Sequence, residues 1–264
     1  MIVAGLDMGV QNVKVVLLRG GEVISRSLVP SGFNLREAAE QALKEAAENA
    51  KISIKEIDHV TATGMGVDLA PRADSTISMI SADALAAVHL HPATRTVIDI
   101  GAEESRVISC DEKGVVLDFT INERCAAGAG AFLEAMARAL EVDLKDMGYL
   151  SLEAQGTVSI SATCVIFGES DVVSLIHKQT PKQEIARAIY DALAERIMSM
   201  IHRIGPKPDV MLVGGVAKDI GFATTLRRKI GLDVIIPEYP EFAGAFGAAL
   251  YAVNKARREK HNGQ

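Results

Sequence analysis

Two short segments of the chain place an acid and glycines in an order suited to phosphate chemistry. Val3-Ala4-Gly5-Leu6-Asp7-Met8-Gly9 is followed by Lys14, seven residues after Asp7. Thr96-Val97-Ile98-Asp99-Ile100-Gly101 is followed by Arg106, seven residues after Asp99. A glycine corner between strands lets backbone approach a phosphate and leaves amide N–H groups free to donate to it. If the two copies are halves of a duplicated fold, Asp7 and Asp99 face each other across a cleft. Two carboxylates there can hold Mg²⁺, largely through waters, while the ion bridges phosphate oxygens. Lys14 suits a phosphate partner and Arg106 a structural ion pair. Gly214-Gly215, after a third apolar run, repeats the strand-then-glycine pattern. Neither copy is a Walker A loop, since no Gly-x-x-x-x-Gly-Lys-Ser/Thr occurs. Gly128-x-Gly130 lacks the third glycine of a dinucleotide fingerprint.

A second chemistry is suggested by cysteine. Cys125 and Cys164 lie 39 residues apart, each at the expected mouth of a helix. A helix amino terminus carries partial positive charge and lowers a thiolate pKa. Two cysteines cannot complete a four-thiolate site, but two chains related by a twofold supply four, the number that a [4Fe–4S] cluster takes. The competing reading is two buried core thiols, which is how free cysteine usually behaves. Cys110 ends a strand and is assigned to that structural class. The six histidines show no metal-ligand spacing, and His89-Leu90-His91 before Pro92 reads as a connector.

The elements that must carry these groups form two α/β units with similar beginnings. In the first, strands are expected at 2–8, 13–18 and 22–28, with a turn at Gly20-Gly21, then a helix over Leu35 to Asn49 marked by Ala38, Ala42 and Ala46. In the second, strands are expected at 96–100, 105–109 and 115–121, with a turn at Asp111-Glu112-Lys113-Gly114. The turn glycine falls 14 residues after Asp7 and 15 after Asp99, which points to a duplicated fold. Helices at 128–141, 165–177 and 181–203 follow, then a strand at 209–213 and a last helix at 243–258 rich in small residues. The division expected is a first lobe of residues 1–94, with a terminal helix 246–264 packing back on it, and a second lobe of 95–245.

Bulk properties narrow the classes. The chain has 264 residues, 48% hydrophobic and 23% charged, as in a soluble globular protein. The net charge of −6, with 4% aromatics and no Trp, shows no footprint for nucleic acid. Apolar runs are strand-sized, so no membrane span is expected. The odd count of three cysteines argues against a disulfide framework. A cytoplasmic, reduced setting fits best.

At these residues the chain resembles the ATP-dependent activators of 2-hydroxyacyl-CoA dehydratases and the related ATPase subunits of benzoyl-CoA reductase. These belong to the actin/hexokinase/chaperone ATPase superfamily, with a duplicated ribonuclease-H-like α/β fold. The segments that carry the resemblance are Asn122-x-x-Cys125-Ala126-Ala127-Gly128-x-Gly130-x-Phe132-Leu133, Cys164-x-x-Phe167-x-Glu169-Ser170, and Gly214-Gly215-Val216-Ala217 with a later Gly221. The resemblance implies that Cys125 and Cys164 hold one [4Fe–4S] cluster shared across a dimer. It implies that the two Asp-x-Gly turns bind ATP or ADP phosphates and Mg²⁺, with Gly9, Gly101, Ala102 and Gly128 at the nucleotide, and that Gly214, Gly215 and Val216 lie at the adenosine. The first loop reads Gly9-Val10-Gln11-Asn12 where activators usually have Gly-Ser-Thr, so Gln11 or Asn12 replaces a hydroxyl contact. The second reads Gly101-Ala102-Glu103-Glu104 where many have Gly-Gly-Gln-Asp, which puts a carboxylate, Glu103, among the candidate catalytic residues. The implied function is ATP-driven, low-potential one-electron transfer from ferredoxin or flavodoxin to an acyl-CoA dehydratase or reductase component, by a homodimer or a heterodimer with a paralogue. Rival readings within the superfamily are a small-molecule kinase and a nucleotide-sensing protein.

Overall fold

A computed structural model describes residues 1–122, 129–161 and 164–262. The chain divides into two compact units: residues 1–93 with 110–116 and 242–264, and residues 94–109 with 117–241.

The first unit opens with β1 (Ile2–Met8), β2 (Asn12–Arg19) and β3 (Glu22–Pro30), an antiparallel meander. Gly20 and Gly21 turn the chain between β2 and β3 at positive φ, a region open to glycine at little cost. Helix α1 (Leu35–Asn49) starts where Asn34 accepts the Glu37 N–H at 3.3 Å. Its alanines at 38, 39, 42, 46 and 47 are buried, as their spacing predicts. Strands β4 (His59–Thr63) and β5 (Ser75–Thr76) add in parallel, giving the sheet order β3-β2-β1-β4-β5. Helix α2 (Met79–Leu90) and the chain-terminal helix α8 (Ala243–Asn262) complete the unit. α8 lies so close to the sheet that a methyl group on Gly5 would come within 1.9 Å of the Ala245 carbonyl oxygen. A methyl on Gly247 would come within 1.8 Å of the Ala82 oxygen on α2. The small-residue run of the last helix therefore marks close backbone packing.

The second unit repeats the sheet. β6 (Thr96–Ile100), β7 (Ser105–Cys110) and β8 (Val116–Asn122) precede helices α3 (Gly130–Leu140), α4 (Leu144–Leu152), α5 (Val165–His177) and α6 (Lys182–Ile204). β9 (Val210–Val213), α7 (Ile220–Ile230) and β10 (Val234–Ile235) close it. Its order, β10-β9-β6-β7-β8, is that of the first sheet with β6, β7 and β8 in the places of β1, β2 and β3. β6 pairs antiparallel with β7 and parallel with β9, as β1 does with β2 and β4. The duplication inferred from turn spacing is thus a duplication of topology. The core of this unit gathers Ile98, Ile100, Phe132, Met136, Ile189 and Phe222, all fully buried.

One expectation is corrected. His89 and Leu90 are the last turn of α2 rather than a connector, and His91 caps it. His89 packs edge-on against Phe246, with ring centroids 5.4 Å apart. The helix escaped notice because apolar residues run round its whole circumference, leaving no amphipathic period.

Candidate functional site

In the second unit the site is built around Asp99, near the end of β6. Ladder register sets Asp99 opposite Arg106 on β7. Arg106 donates through Nη1 to Asp99 Oδ2 and through Nη2 to Glu104 Oε2. Arg106 and Asp99 are both buried, so the guanidinium acts as a fixed structural counter-ion that orients the Asp99 carboxylate.

The turn after β6 closes on itself, with the Gly101 N–H donating to the Glu104 carbonyl at 2.9 Å. The carbonyls of Gly101 and Ala102 accept the N–H groups of Gly130 (2.9 Å) and Ala131 (2.8 Å). Two donors left over at the start of α3 are thereby satisfied by the turn itself. The parallel β6–β9 ladder, with Asp99 opposite Val213, then brings Gly214 against the acid. Gly214 has φ +88°, and its N–H donates to the Pro240 carbonyl at 2.9 Å. Gly215 is exposed, with open space where a side chain would stand. Val216 is buried, and its Cγ2 lies 3.2 Å from where a methyl on Gly130 would sit. Asp99, Gly101, Ala102, Gly214, Gly215 and Val216 thus come together at one end of one sheet. Glu103 is exposed at the tip of the turn and makes no hydrogen bond or ion pair among the described residues. Gly128 and Cys125 lie outside the described residues.

The first unit repeats the arrangement. Asp7 faces Lys14 in the same ladder position, with Lys14 Nζ donating to Asp7 Oδ2 at 2.9 Å. The loop after β1 is pinned by Ser31, whose N–H donates to the Gln11 carbonyl (2.9 Å) and whose hydroxyl donates to the Gly9 carbonyl (2.7 Å). A side chain on Gly9 would come within 2.6 Å of the Asn12 carbonyl, so the corner demands glycine. Gln11 is exposed and Asn12 half-buried.

Two features escaped the sequence reading. Asp83, on α2, is buried near Asp7; each has a carboxylate oxygen 3.6 Å from where a methyl on Gly244 would sit. The available signal was a single acid in a run of apolar and small residues, Met79-Ile80-Ser81-Ala82-Asp83-Ala84-Leu85-Ala86-Ala87. The second is Asp219, just past the Gly214-Gly215 turn. It accepts the Phe222 N–H at 3.0 Å to cap α7 and the Tyr190 hydroxyl at 2.7 Å. Burial raises its carboxyl above the ordinary range, and burial together with the neighbouring carboxylate pushes the Tyr190 phenol far up. Gly221 sits here because a side chain would strike the Tyr190 ring at 2.7 Å and Gly148 of α4 at 2.8 Å.

Cys164 is the residue before α5 and is a free, half-buried thiol. α5 packs on α3 at Gly168, where a methyl would come within 3.2 Å of Phe132 and 3.3 Å of the Met136 sulfur. The helices that follow the two candidate cluster cysteines are therefore in contact. Cys110 is fully buried at the end of β7.

The donor chemistry suits the groups expected here. A thiol at the start of a 13-residue helix suits a thiolate ligand. For a hard cation, Asp7 offers carboxylate oxygen, and the neighbouring Thr63 hydroxyl is buried with no hydrogen-bond partner among the described residues. Among the described residues no three of His, Cys, Asp and Glu gather as a metal centre, and no helix is long and apolar enough to cross a membrane.

A fold built twice, with a clamped acid and a glycine corner at the end of the first strand of each sheet, is that of the actin-like ATPases. The chain belongs to the BadF/BadG/BcrA/BcrD ATPase family, whose sequence model matches residues 4–252. It is 36% identical over 260 residues to the 2-hydroxyisocaproyl-CoA dehydratase activator of Clostridioides difficile, covering 98% of each chain. It is similar to the crystal structure of (R)-2-hydroxyglutaryl-CoA dehydratase component A from Acidaminococcus fermentans, with a TM-score of 0.94 and 35% identity over 97% of this chain and 99% of that one. It is also similar to the structure of the Clostridium difficile 2-hydroxyisocaproyl-CoA dehydratase activator with bound ADPNP, with a TM-score of 0.93 and 35% identity over 99% and 98% of the two chains.

Proposed function

We propose that this protein hydrolyses ATP to drive one electron at low potential into an acyl-CoA dehydratase or reductase component, taking that electron from ferredoxin or flavodoxin. The observation that supports this most directly is the pair of hydrogen bonds from Gly130 and Ala131 to the Gly101 and Ala102 carbonyls. They tie a phosphate-binding turn to the first residues of α3, the helix that follows Cys125. A displacement of that turn by a nucleotide is carried into α3 and, through the Gly168 contact, into α5 behind Cys164.

The roles of the residues follow from their settings. Asp99, oriented by Arg106, and Asp7, held by Lys14, present carboxylates to the nucleotide's Mg²⁺. Gly9, Gln11 and Asn12 of the first loop, and Gly101 and Ala102 of the second, suit phosphate through backbone N–H groups and short polar side chains, and the resemblance assigns Gly128 to the same ligand. Gly214, Gly215 and Val216 form the adenosine platform, with the exposed Gly215 backbone leaving room for the nucleoside. Glu103, with no competing partner among the described residues, orients the attacking water.

A [4Fe–4S] cluster held by Cys125 and Cys164 of two copies supplies the one-electron carrier. Ile166 and Phe167 of α5, 69% and 62% exposed beside Cys164, give such a dimer an apolar surface to cover. Shifting a two-state arrangement from 1:99 to 99:1 takes about 5.5 kcal/mol of differential binding, within the reach of a nucleotide switch.

The test is iron and acid-labile sulfide content, with an EPR spectrum of the dithionite-reduced protein prepared without oxygen. About four irons per dimer are expected. Cys125→Ala and Cys164→Ala should each abolish iron binding and leave nucleotide binding intact. Iron content unchanged in both variants would rule out the cluster assignment.

A further inference from the structure

Asp7 has neighbours that the electron-transfer reading leaves without a role. β1 and β4 run parallel with Asp7 opposite Thr63, so both side chains leave the sheet on the same face. It is the face covered by α8, because Gly5, two residues before Asp7, lies against Ala245 and Ala249. Thr63 is completely buried, and its hydroxyl oxygen has no hydrogen-bond partner among the described residues. A buried hydroxyl left unpaired is destabilising, so a native fold rarely keeps one without a ligand or water to satisfy it. Directly after it the chain turns sharply at Gly64, at φ +100°, which ends the strand at this point. Asp83 enters the same place from α2, where Gly244 keeps the floor free of side chain between the two carboxylates. Oxygen groups from three elements therefore converge at the carboxyl ends of two parallel strands, the end at which sheets of this kind bind ligands.

We infer that Thr63 and Asp83 are positioning residues for ATP hydrolysis, holding with Asp7 the water shell of the divalent cation that accompanies the nucleotide. The inference rests on the reading of Asp7 as part of the nucleotide site. The chemistry matches what such an ion asks of a protein. Mg²⁺ gives up its waters reluctantly and is held by one or two carboxylates plus phosphates, so groups that grip its waters decide how firmly it is placed. A carboxylate accepts hydrogen bonds from those waters, and a threonine hydroxyl can accept one and donate another. Lys14, at 2.9 Å from Asp7 Oδ2, keeps that carboxylate from swinging away.

The experiment is a Mn²⁺ titration followed by EPR, on the full chain with saturating ADP, for the parent, Asp83→Asn and Thr63→Val. Groups in this position typically alter metal affinity 10- to 100-fold, so Asp83→Asn is expected to weaken Mn²⁺ binding by about tenfold or more. Thr63→Val should weaken it by at least about threefold, while metal-free ADP binding stays within about twofold in both variants. If Asp83→Asn fails to fold, Thr63→Val decides alone. An idle hydroxyl predicts the opposite pattern: Thr63→Val raises the melting temperature and leaves Mn²⁺ affinity untouched, which overturns the inference. Parent-like Mn²⁺ affinity in Asp83→Asn also overturns it. A parent protein that binds no Mn²⁺ with ADP removes the nucleotide-site reading itself, and this inference with it.

Discussion

The α-carbon of Gly214 lies against the carboxylate of Asp99, so closely that a methyl group there would come within 2.4 Å of Asp99 Oδ1 and of the Ile100 carbonyl oxygen. One residue thus couples the turn proposed for the adenosine to the acid proposed for the phosphates. Gly214→Ala meets both this collision and a φ of +88°. The expected outcome is a loss of about 1–3 kcal/mol of stability together with weakened ADPNP binding. Denaturant titration and calorimetry on the same sample check it, and unchanged ADPNP affinity would show that the turn is not at the nucleotide.

Glu103 offers a test that separates the proposed catalytic role from folding. It is exposed and makes no hydrogen bond or ion pair among the described residues, so Glu103→Gln should change stability by no more than about 0.5 kcal/mol. The ATP hydrolysis rate should nevertheless fall by about 10²-fold if its carboxylate orients the attacking water. A parent-like rate removes Glu103 from the mechanism.

The Asp219 carboxyl makes stability depend on pH in a definite sense. Burial raises its pKa from the ordinary 3.8 in the folded state. The unfolded chain therefore releases this proton first, and the group's contribution, full below 3.8, declines as pH rises through the folded value. Asp219→Asn keeps a helix cap and removes the titration. Urea unfolding across pH ~4–7 should show the parent losing stability relative to the variant as pH rises. Parallel curves would mean that the carboxyl is not perturbed.

The packing of the first unit makes a blunter prediction. Gly5→Ala would drive a methyl to 1.9 Å from the Ala245 oxygen, where backbone rather than a flexible side chain stands in the way. The last helix must then lift from the sheet that carries Asp7. We expect a loss of several kcal/mol, about the size of severe overpacking, and faster proteolysis of residues 242–264. A melting temperature equal to that of the parent would contradict the close approach.

Local signals already determined much of this protein. The glycine corners, the strand-length runs of β1, β2, β6 and β7, and the four-residue repeat of alanine in α1 depend on neighbours in sequence. They gave Asp7 and Lys14 the same spacing of seven as Asp99 and Arg106 and marked Arg106 for an ion pair; Lys14, expected at a phosphate, the ladder instead sets opposite Asp7, to which it donates. The span of α5, Val165–His177, was legible for the same reason. Strand β4 was not, because His59, Thr61 and Thr63 break any apolar run. α2 was missed for want of a polar face. The tertiary fold alone decided that Gly214 stands against Asp99, that the Gly101 turn caps α3, that α3 meets α5 at Gly168, and that Thr63 and Asp83 gather beside Asp7. Each of these joins residues from separate elements, brought together by parallel crossovers and helix packing whose distances no local pattern encodes.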